Sequence, residues 1–440
     1  MAHAKEVATL NRVLWACALI LAVSSCSISN NAYSPAVTSS ASRSAPSAHF
    51  ESEHRWGNGS DNRWEPVVAA DPSSPWIYQM TTGQRPDYLL FRASNDRGAT
   101  WSPARHICRR GTRVPFQYDP QIAVANDGTI DAVCLNGFLP GVAIAQSHDH
   151  GRSWTRSVRL DGSLRYSDKP TLVLAAGGRD IYVAFNSYNA LYVAASHDGG
   201  STWQRPVKAT RDRRWYYSYS GAAARDGSVW FAVDGESGRD ETGNGRVALV
   251  TSSDGGATWT TLAFAKSHEG ATCRAPRCYP DFYTAQDAIA VDPTGVHLFV
   301  FAQNKVKHGP NALYASRSSD GIHWSAPSPV NEQGNSTSPA LATGPGSGDF
   351  RLVWQDDRNG PNAWNTWYAR SRDGGATWSK PQRLSDRSAG AAYKHAGGYD
   401  FPFGDYLGLA VDSRGGNYVI WGEGAAIYRP GGTWWTRDVL

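Results

Sequence analysis

Six stretches of the 440-residue chain gather carboxylates with arginine or aromatic side chains beside glycine, proline or asparagine. They are residues 113–119 (RVPFQYD), 165–169 (RYSDK), 234–244 (DGESGRDETGN), 281–287 (DFYTAQD), 356–367 (DDRNGPNAWNTW) and 399–406 (YDFPFGDY). Two carboxyl groups across a pocket, one kept protonated and one ionised, can break a glycosidic bond. Glu236, Asp356, Asp357, Asp400 and Asp405 are the candidates for that work, with Tyr406 as a donor to the leaving oxygen. A sugar also needs aromatic faces for its apolar side and charged groups for its hydroxyls or acid group. Arg113, Asp119, Asp168, Asp281, Tyr283, Arg358 and Trp364 have those types. Plainer roles exist for each carboxylate. Asp356 and Asp357 beside Arg358 can form a loop ion pair, Asp405 can cap a turn, and Glu236 can be a solvated charge. No metal or cofactor is expected. The Asp and Asn of residues 356–362 lack the bidentate Glu of a calcium loop, the 12 His show no ligand spacing, and no phosphate or dinucleotide fingerprint occurs.

Whatever holds these residues is built from a chain with 18 Trp, 20 Tyr and 44 Gly, and with only 19% charged residues. Such aromatic content can offset the entropy of ordering, so wholesale disorder is excluded. The net charge of +4 argues against a nucleic-acid partner. No run of 18 apolar residues occurs, which excludes a polytopic membrane protein.

The N-terminus reads as an address. Lys5 and Arg12 precede an eleven-residue apolar run, VLWACALILAV, too short to span a bilayer. It ends in Val-Ser-Ser-Cys at Cys26, which resembles the bacterial lipobox; an ordinary secretory signal with a chance Cys is the alternative. Residues 1–26 are expected to be the signal, 27–59 a Ser/Ala-rich tether, and 60–440 the folded domain. The destination is extracytoplasmic, lipid-anchored at the membrane or secreted. Cys108, Cys134, Cys273 and Cys278 remain, an even number that suggests disulfides in an exported chain, Cys273 with Cys278 and Cys108 with Cys134. Four unpaired thiols are the alternative.

Two sequence patterns repeat. S-x-D-x-G-x-[TS]-W begins at Ser94, Ser147, Ser196, Ser252 and Ser371, with a shortened copy, SSDGIHW, from Ser318. Between copies lies a pair of apolar alternating runs joined by a Gly/Asp/Pro turn, seven times over, which reads as seven β-hairpins. Adding the strands on either side of each box gives four antiparallel strands per unit. The fold class is therefore all-β, a single propeller of seven four-stranded blades, with six as the alternative. In each box the Asp can accept backbone N–H bonds, the Gly supplies a positive φ and the Trp cements the turn. Asp96, Asp149, Asp198, Asp254, Asp320 and Asp373 are thus read as structural. A last, degenerate box is expected at residues 430–435 (PGGTWW).

The box is the Asp-box, or BNR repeat, and over residues 60–440 the chain resembles the sialidase-like propellers. The resemblance implies that boxes join the third and fourth strands on one face. The reaction site then lies on the opposite face, among the second-to-third-strand loops and the inter-blade connections. All the candidate residues above would line that one mouth. A sialidase also needs three arginines to clamp a carboxylate, a Tyr/Glu pair and an Asp. Arg113 in Arg-Val-Pro and Arg358 are two possible arginines, and no third is assigned. The expected function is an envelope-anchored, sialidase-like glycoside hydrolase, with a non-catalytic glycan- or protein-binding propeller as the alternative. Its partner is a carbohydrate, its membrane contact is the lipid alone, and it is expected to be a monomer.

Overall fold

The apolar runs form strands because their residues are β-branched or aromatic and alternate between two faces. The computed structural model describes residues 48–57, 63–83, 88–108, 117–137, 140–238, 243–269, 278–279, 286–360, 364–385, 394–395, 398–400, 407–423 and 432–438. Seven four-stranded antiparallel sheets follow one another. Blade I holds Arg63–Ala70, Ile77–Gly83, Tyr88–Ser94 and Arg105–His106, and blade II Gln117–Val124, Ile130–Asn136, Val142–Ser147 and Val158–Arg159. Blade III holds Asp168–Ala175, Asp180–Asn186, Leu191–Ser196 and Val207–Lys208. Blade IV holds Trp215–Ala223, Val229–Glu236, Gly245–Ser252 and Thr260–Ser267. Blade V holds Asp287–Val291, His297–Gln303, Ala312–Ser318 and Ser328–Asn331, and blade VI Thr337–Thr343, Phe350–Asp356, Asn365–Ser371 and Gln382–Arg383.

Blade VII differs from the sequence expectation. Gly408–Val411, Asn417–Glu423 and Gly432–Arg437 are its first three strands, so residues 432–435 lie in a strand rather than a box, residues 430 and 431 being outside the described ones. Its fourth strand is His54–Trp56, paired in register with Gly432–Arg437, so the ring begins ahead of residue 60. Arg437 binds Glu51 at 2.7 Å and Asp438 accepts from the His49 amide at 2.9 Å, which fastens the two ends of the ring. The first strands of consecutive blades touch all the way round, blade VII to blade I included.

A separate apolar cluster fills each of the seven seams between blades. The second strand of blade III shows why both faces must be apolar. Ile181, Val183 and Phe185 pack toward blade II, and Tyr182 and Ala184 toward blade IV. Cys108 and Cys134 meet in the seam of blades I and II, their thiols in hydrogen-bond contact. Both are free thiols here, so the expected bridge between them is not formed. Cys273 lies outside the described residues and Cys278 is described only as backbone, as is the rest of a small sheet joining Cys278–Tyr279, Gly398–Asp400 and Lys394–His395.

All six boxes have one hydrogen-bond pattern. In the box of blade IV, Asp254 accepts from the Thr258 amide at 2.9 Å and the Thr258 hydroxyl at 2.5 Å, while Ser252 receives the Gly256 amide at 2.9 Å. The shortened copy replaces the threonine hydroxyl with the His323 ring, 2.7 Å from Asp320. The box glycine has two reasons to be glycine. Gly151 has φ +81°, and a Cβ there would lie 2.1 Å from Phe91 of the preceding blade. Because every strand pairing is antiparallel, these box turns lie at the opposite strand ends from the second-to-third-strand loops. That is the arrangement the resemblance implies.

Candidate active site

The entrances of the first strands carry a local device. Glu65, Asp119, Lys169 and Ser338 each stand before a proline, at φ of 49°, 50°, 47° and 51°, inside a break in strand register. A left-handed conformation is uncommon for these residue types and costs on the order of 1–3 kcal/mol each. The break sends an extra polar side chain into the ring, where neighbouring blades receive it. Glu65 accepts from the Asp119 amide and the Thr82 hydroxyl, both at 2.9 Å. Gln286 plays the same part in blade V, accepting from the Ser338 amide at 2.8 Å and the Thr337 hydroxyl at 2.5 Å.

The result is an acidic chamber around one ammonium. Lys169 Nζ lies 3.7 Å from Asp119 Oδ1, both buried. Burial, then the charge of Asp119, pushes Glu65 up to about 8. The same causes push Asp168 up to about 7, against the pull of Lys169. Burial also raises Asp234 to about 7, and burial with the charge of Asp234 raises Asp287 well above the carboxylate range. Asp168 differs from the others in being only half-buried. Its Oδ2 accepts the Tyr166 hydroxyl at 2.9 Å and its Oδ1 the Lys169 amide at 2.9 Å. A carboxyl half protonated near neutrality can give a proton to a ligand that reaches it. The axial cavity, about 140 Å³ and lined by Val67, Tyr219, Gln286, Ser338 and Leu407 among others, is smaller than the roughly 300–1,000 Å³ of ordinary ligand pockets. Among the described residues no group of His, Cys, Asp and Glu is placed to hold a metal.

Of the sequence candidates, Asp119 and Asp168 come together here. The others are placed elsewhere or lie outside the described residues. Asp356 is fully buried and holds Arg358 at 2.5 Å, the Trp354 indole at 2.7 Å and the Asn331 amide at 3.2 Å. Arg358 stacks 3.9 Å from the Trp367 ring centre and donates to Asn331 at 3.0 Å. That is the loop ion pair weighed as the plainer role of these residues. Asp357 accepts the Asn335 amide at 2.6 Å, and burial raises its pKa. Trp364 is fully buried and cannot stack on a sugar at the mouth. Glu236 is fully buried at the end of its strand, opposite Trp215, rather than a solvated loop charge. Asp400 is described only as backbone in its short strand. Arg113, Asp281, Tyr283, Asp405, Tyr406 and Cys26 lie outside the described residues.

Tyr166, Lys169, Asp234 and Asp287 lie in stretches the sequence singles out, without being named as site residues, and Glu65 lies outside them. The signal for two of them was present: a charged residue followed by proline directly before an apolar run, as Glu65-Pro66 and Lys169-Pro170.

Among solved structures the chain is similar to a polysaccharide lyase of family PL25, an ulvan lyase determined with bound -[GlcA(1-4)Rha3S]-. Identity is 14% over 86% of this chain and 95% of that one, with a TM-score of 0.56. It is also similar to an α-L-arabinanase of Penicillium chrysogenum (13% identity, 71% and 94% covered, TM-score 0.48) and to the NanB sialidase of Streptococcus pneumoniae (10%, 89% and 70%, 0.47). No curated protein sequence matches it. At such identities these likenesses concern the fold. Residues 36–292 match the BNR repeat-like domain, more than half of the chain, and the boxes at residues 94–101, 147–154, 196–203 and 252–259 all fall within that span. The chain is thus a member of the BNR repeat-like family.

Proposed function

We propose that this propeller acts on glycans over the acidic chamber and hydrolyses a glycosidic bond, Asp168 giving its proton to the leaving oxygen while water supplies the new hydroxyl at the anomeric carbon. One observation carries the reading: the carboxyl of Asp168, raised to about 7 by burial, held by Tyr166 and set beside the Lys169–Asp119 ion pair. A polysaccharide ligand on a propeller of similar fold supports a glycan as the class of substrate. Cleavage of sialic acid is disfavoured, because Arg358 is engaged by Asp356 and the floor is acidic where that sugar's carboxylate would need cations. Incubating the chain and Asp168→Asn with neutral and acidic polysaccharides tests the reading. New reducing ends from the native chain, and a loss of about 100-fold or more in the variant, are expected. Release unaffected by the substitution overturns the assignment.

Burial of Asp119 and Asp234 favours a second reading, a propeller that binds a glycan without cutting it. It is distinguished by retained binding with no new reducing ends. We also infer that the chain is exported and lipid-anchored at Cys26, and that the touching thiols of Cys108 and Cys134 become a disulfide in that compartment. Intact mass after export, read with and without reductant, tests both inferences.

A further inference from the structure

A second cleft opens beside the chamber. It encloses about 460 Å³ at the rim of blade III, and Arg165, Tyr188, Asn189, Tyr192, Lys208 and Arg213 line it. Its residues come from the second-to-third-strand turn of blade III, the adjoining ends of the third and fourth strands, and the connections on either side of that blade, so it lies on the chamber's face. Arg165, Lys208 and Arg213 are exposed and none is in an ion pair or hydrogen bond among the described residues, whereas nearby Arg214 and Arg246 are both held by Asp212. Among the described residues no carboxylate lines the cleft. Three unpaired cations around one hollow make a local field that favours an anion.

Tyr188 is the second observation. It is 48% exposed although its backbone sits at φ 52°, an unfavourable conformation for an aromatic residue. The conformation is enforced from below: Asn186 Nδ2 donates to the carbonyls of Tyr188 at 3.0 Å and Tyr216 at 2.7 Å, and the Ser187 amide closes the turn on Ala190 at 2.9 Å. Backbone strain persists where the surroundings over-determine it, often at ligand clamps. The ring lies 5.2 Å from that of Tyr166, whose hydroxyl binds Asp168. An aromatic pair, Tyr188 exposed and Tyr166 half-buried, therefore runs from the cationic cleft to Asp168.

We propose that this cleft is a subsite for an anionic glycan, a chain of sugar rings bearing carboxylate or sulfate groups, with Tyr188 beneath a ring and Arg165, Lys208 and Arg213 on its charges. The proposal rests on the chamber reading only for the direction in which the chain runs. The charge pattern favours a glycan over a nucleic acid. A polyanion with a charge on every unit would cross from the cations onto the carboxylates of Asp168 and Asp119. A glycan can place a neutral ring there.

The test is equilibrium binding of the full chain to hyaluronan (a carboxylate on every second ring), kappa-carrageenan (a sulfate on every second ring), uncharged dextran and single-stranded oligothymidylate at low and high salt. At least one anionic glycan is expected to bind more tightly than dextran, and to weaken as salt screens the exposed charges. The two anionic arms separate uronate from sulfate recognition. Replacing Arg165, Lys208 and Arg213 by alanine together is expected to weaken that binding about ten-fold and flatten its salt dependence. Tyr188→Ala is expected to weaken it several-fold with the salt dependence intact. Equal binding of dextran, tighter binding of the oligonucleotide, or indifference to these variants overturns the subsite. Asp168→Asn should keep the binding, so its failure to stop cleavage would remove the catalytic reading and leave the cleft standing.

Discussion

Asp168 and Glu65 have raised pKa values for one reason, burial beside Asp119, and have different consequences. A proton donor works only while protonated, so cleavage through Asp168 should decline as pH rises through about 7. Glu65 bears on stability. Its folded pKa of about 8 lies above the unfolded value of about 4.3. The folded state is therefore unpenalised below pH 4, and stability is lost as pH rises from there toward 8. Glu65→Gln keeps an oxygen for the Asp119 amide and the Thr82 hydroxyl, as Gln286 does for blade VI. Denaturant unfolding at pH 9 is expected to find the variant more stable by about 2 kcal/mol or more, with little difference at pH 4. The carboxylates were legible in the sequence as types but not as roles. Asp356 and Asp168 both sit in charged strings, and only the packing of Trp354, Asn331 and Arg358 around Asp356 separates a structural ion pair from an accessible acid.

At the scale of the element, the box turn was the most legible feature, because its side chains bond within their own eight residues. Asp373→Ala removes the acceptor of the Thr377 amide and hydroxyl, at 2.9 and 2.6 Å, and should cost about 1–2 kcal/mol in thermal or denaturant unfolding without altering KM. These hydrogen bonds hold Asp149, Asp198 and Asp254 down at about 2. A carboxyl whose folded pKa is depressed gives stability above its unfolded value of about 3.9 and loses it as pH falls toward 2. Acid unfolding in that window, shifted to higher pH when a box Asp is replaced, is the expected outcome. The breaks in register at the first strands were less legible. A residue before proline is normally extended. That Glu65 and Lys169 instead turn inward follows from the neighbouring blade's hydrogen bonds, which no single string contains.

The whole ring depends on one long-range pairing, His54–Trp56 on Gly432–Arg437. The hairpin repeat predicted seven blades, whereas the N-terminal strand was unreadable because three residues carry no periodicity. Trp56 packs with Trp435, and Arg92 lies over both rings at 4.3 and 5.4 Å. Trp56→Ala should therefore cost about 3–5 kcal/mol, measured as a lowered unfolding midpoint. Closure matters to function because it holds blades I to V in the arc that gathers Glu65, Asp119, Asp168, Lys169, Asp234 and Asp287. The measurement that bears most directly on that arc is the release of reducing ends from a polysaccharide panel between pH 5 and 9, for the native chain and Asp168→Asn side by side. The account predicts release that falls above about pH 7 and is lost in the variant. Release that is indifferent to both the pH and the substitution would contradict it.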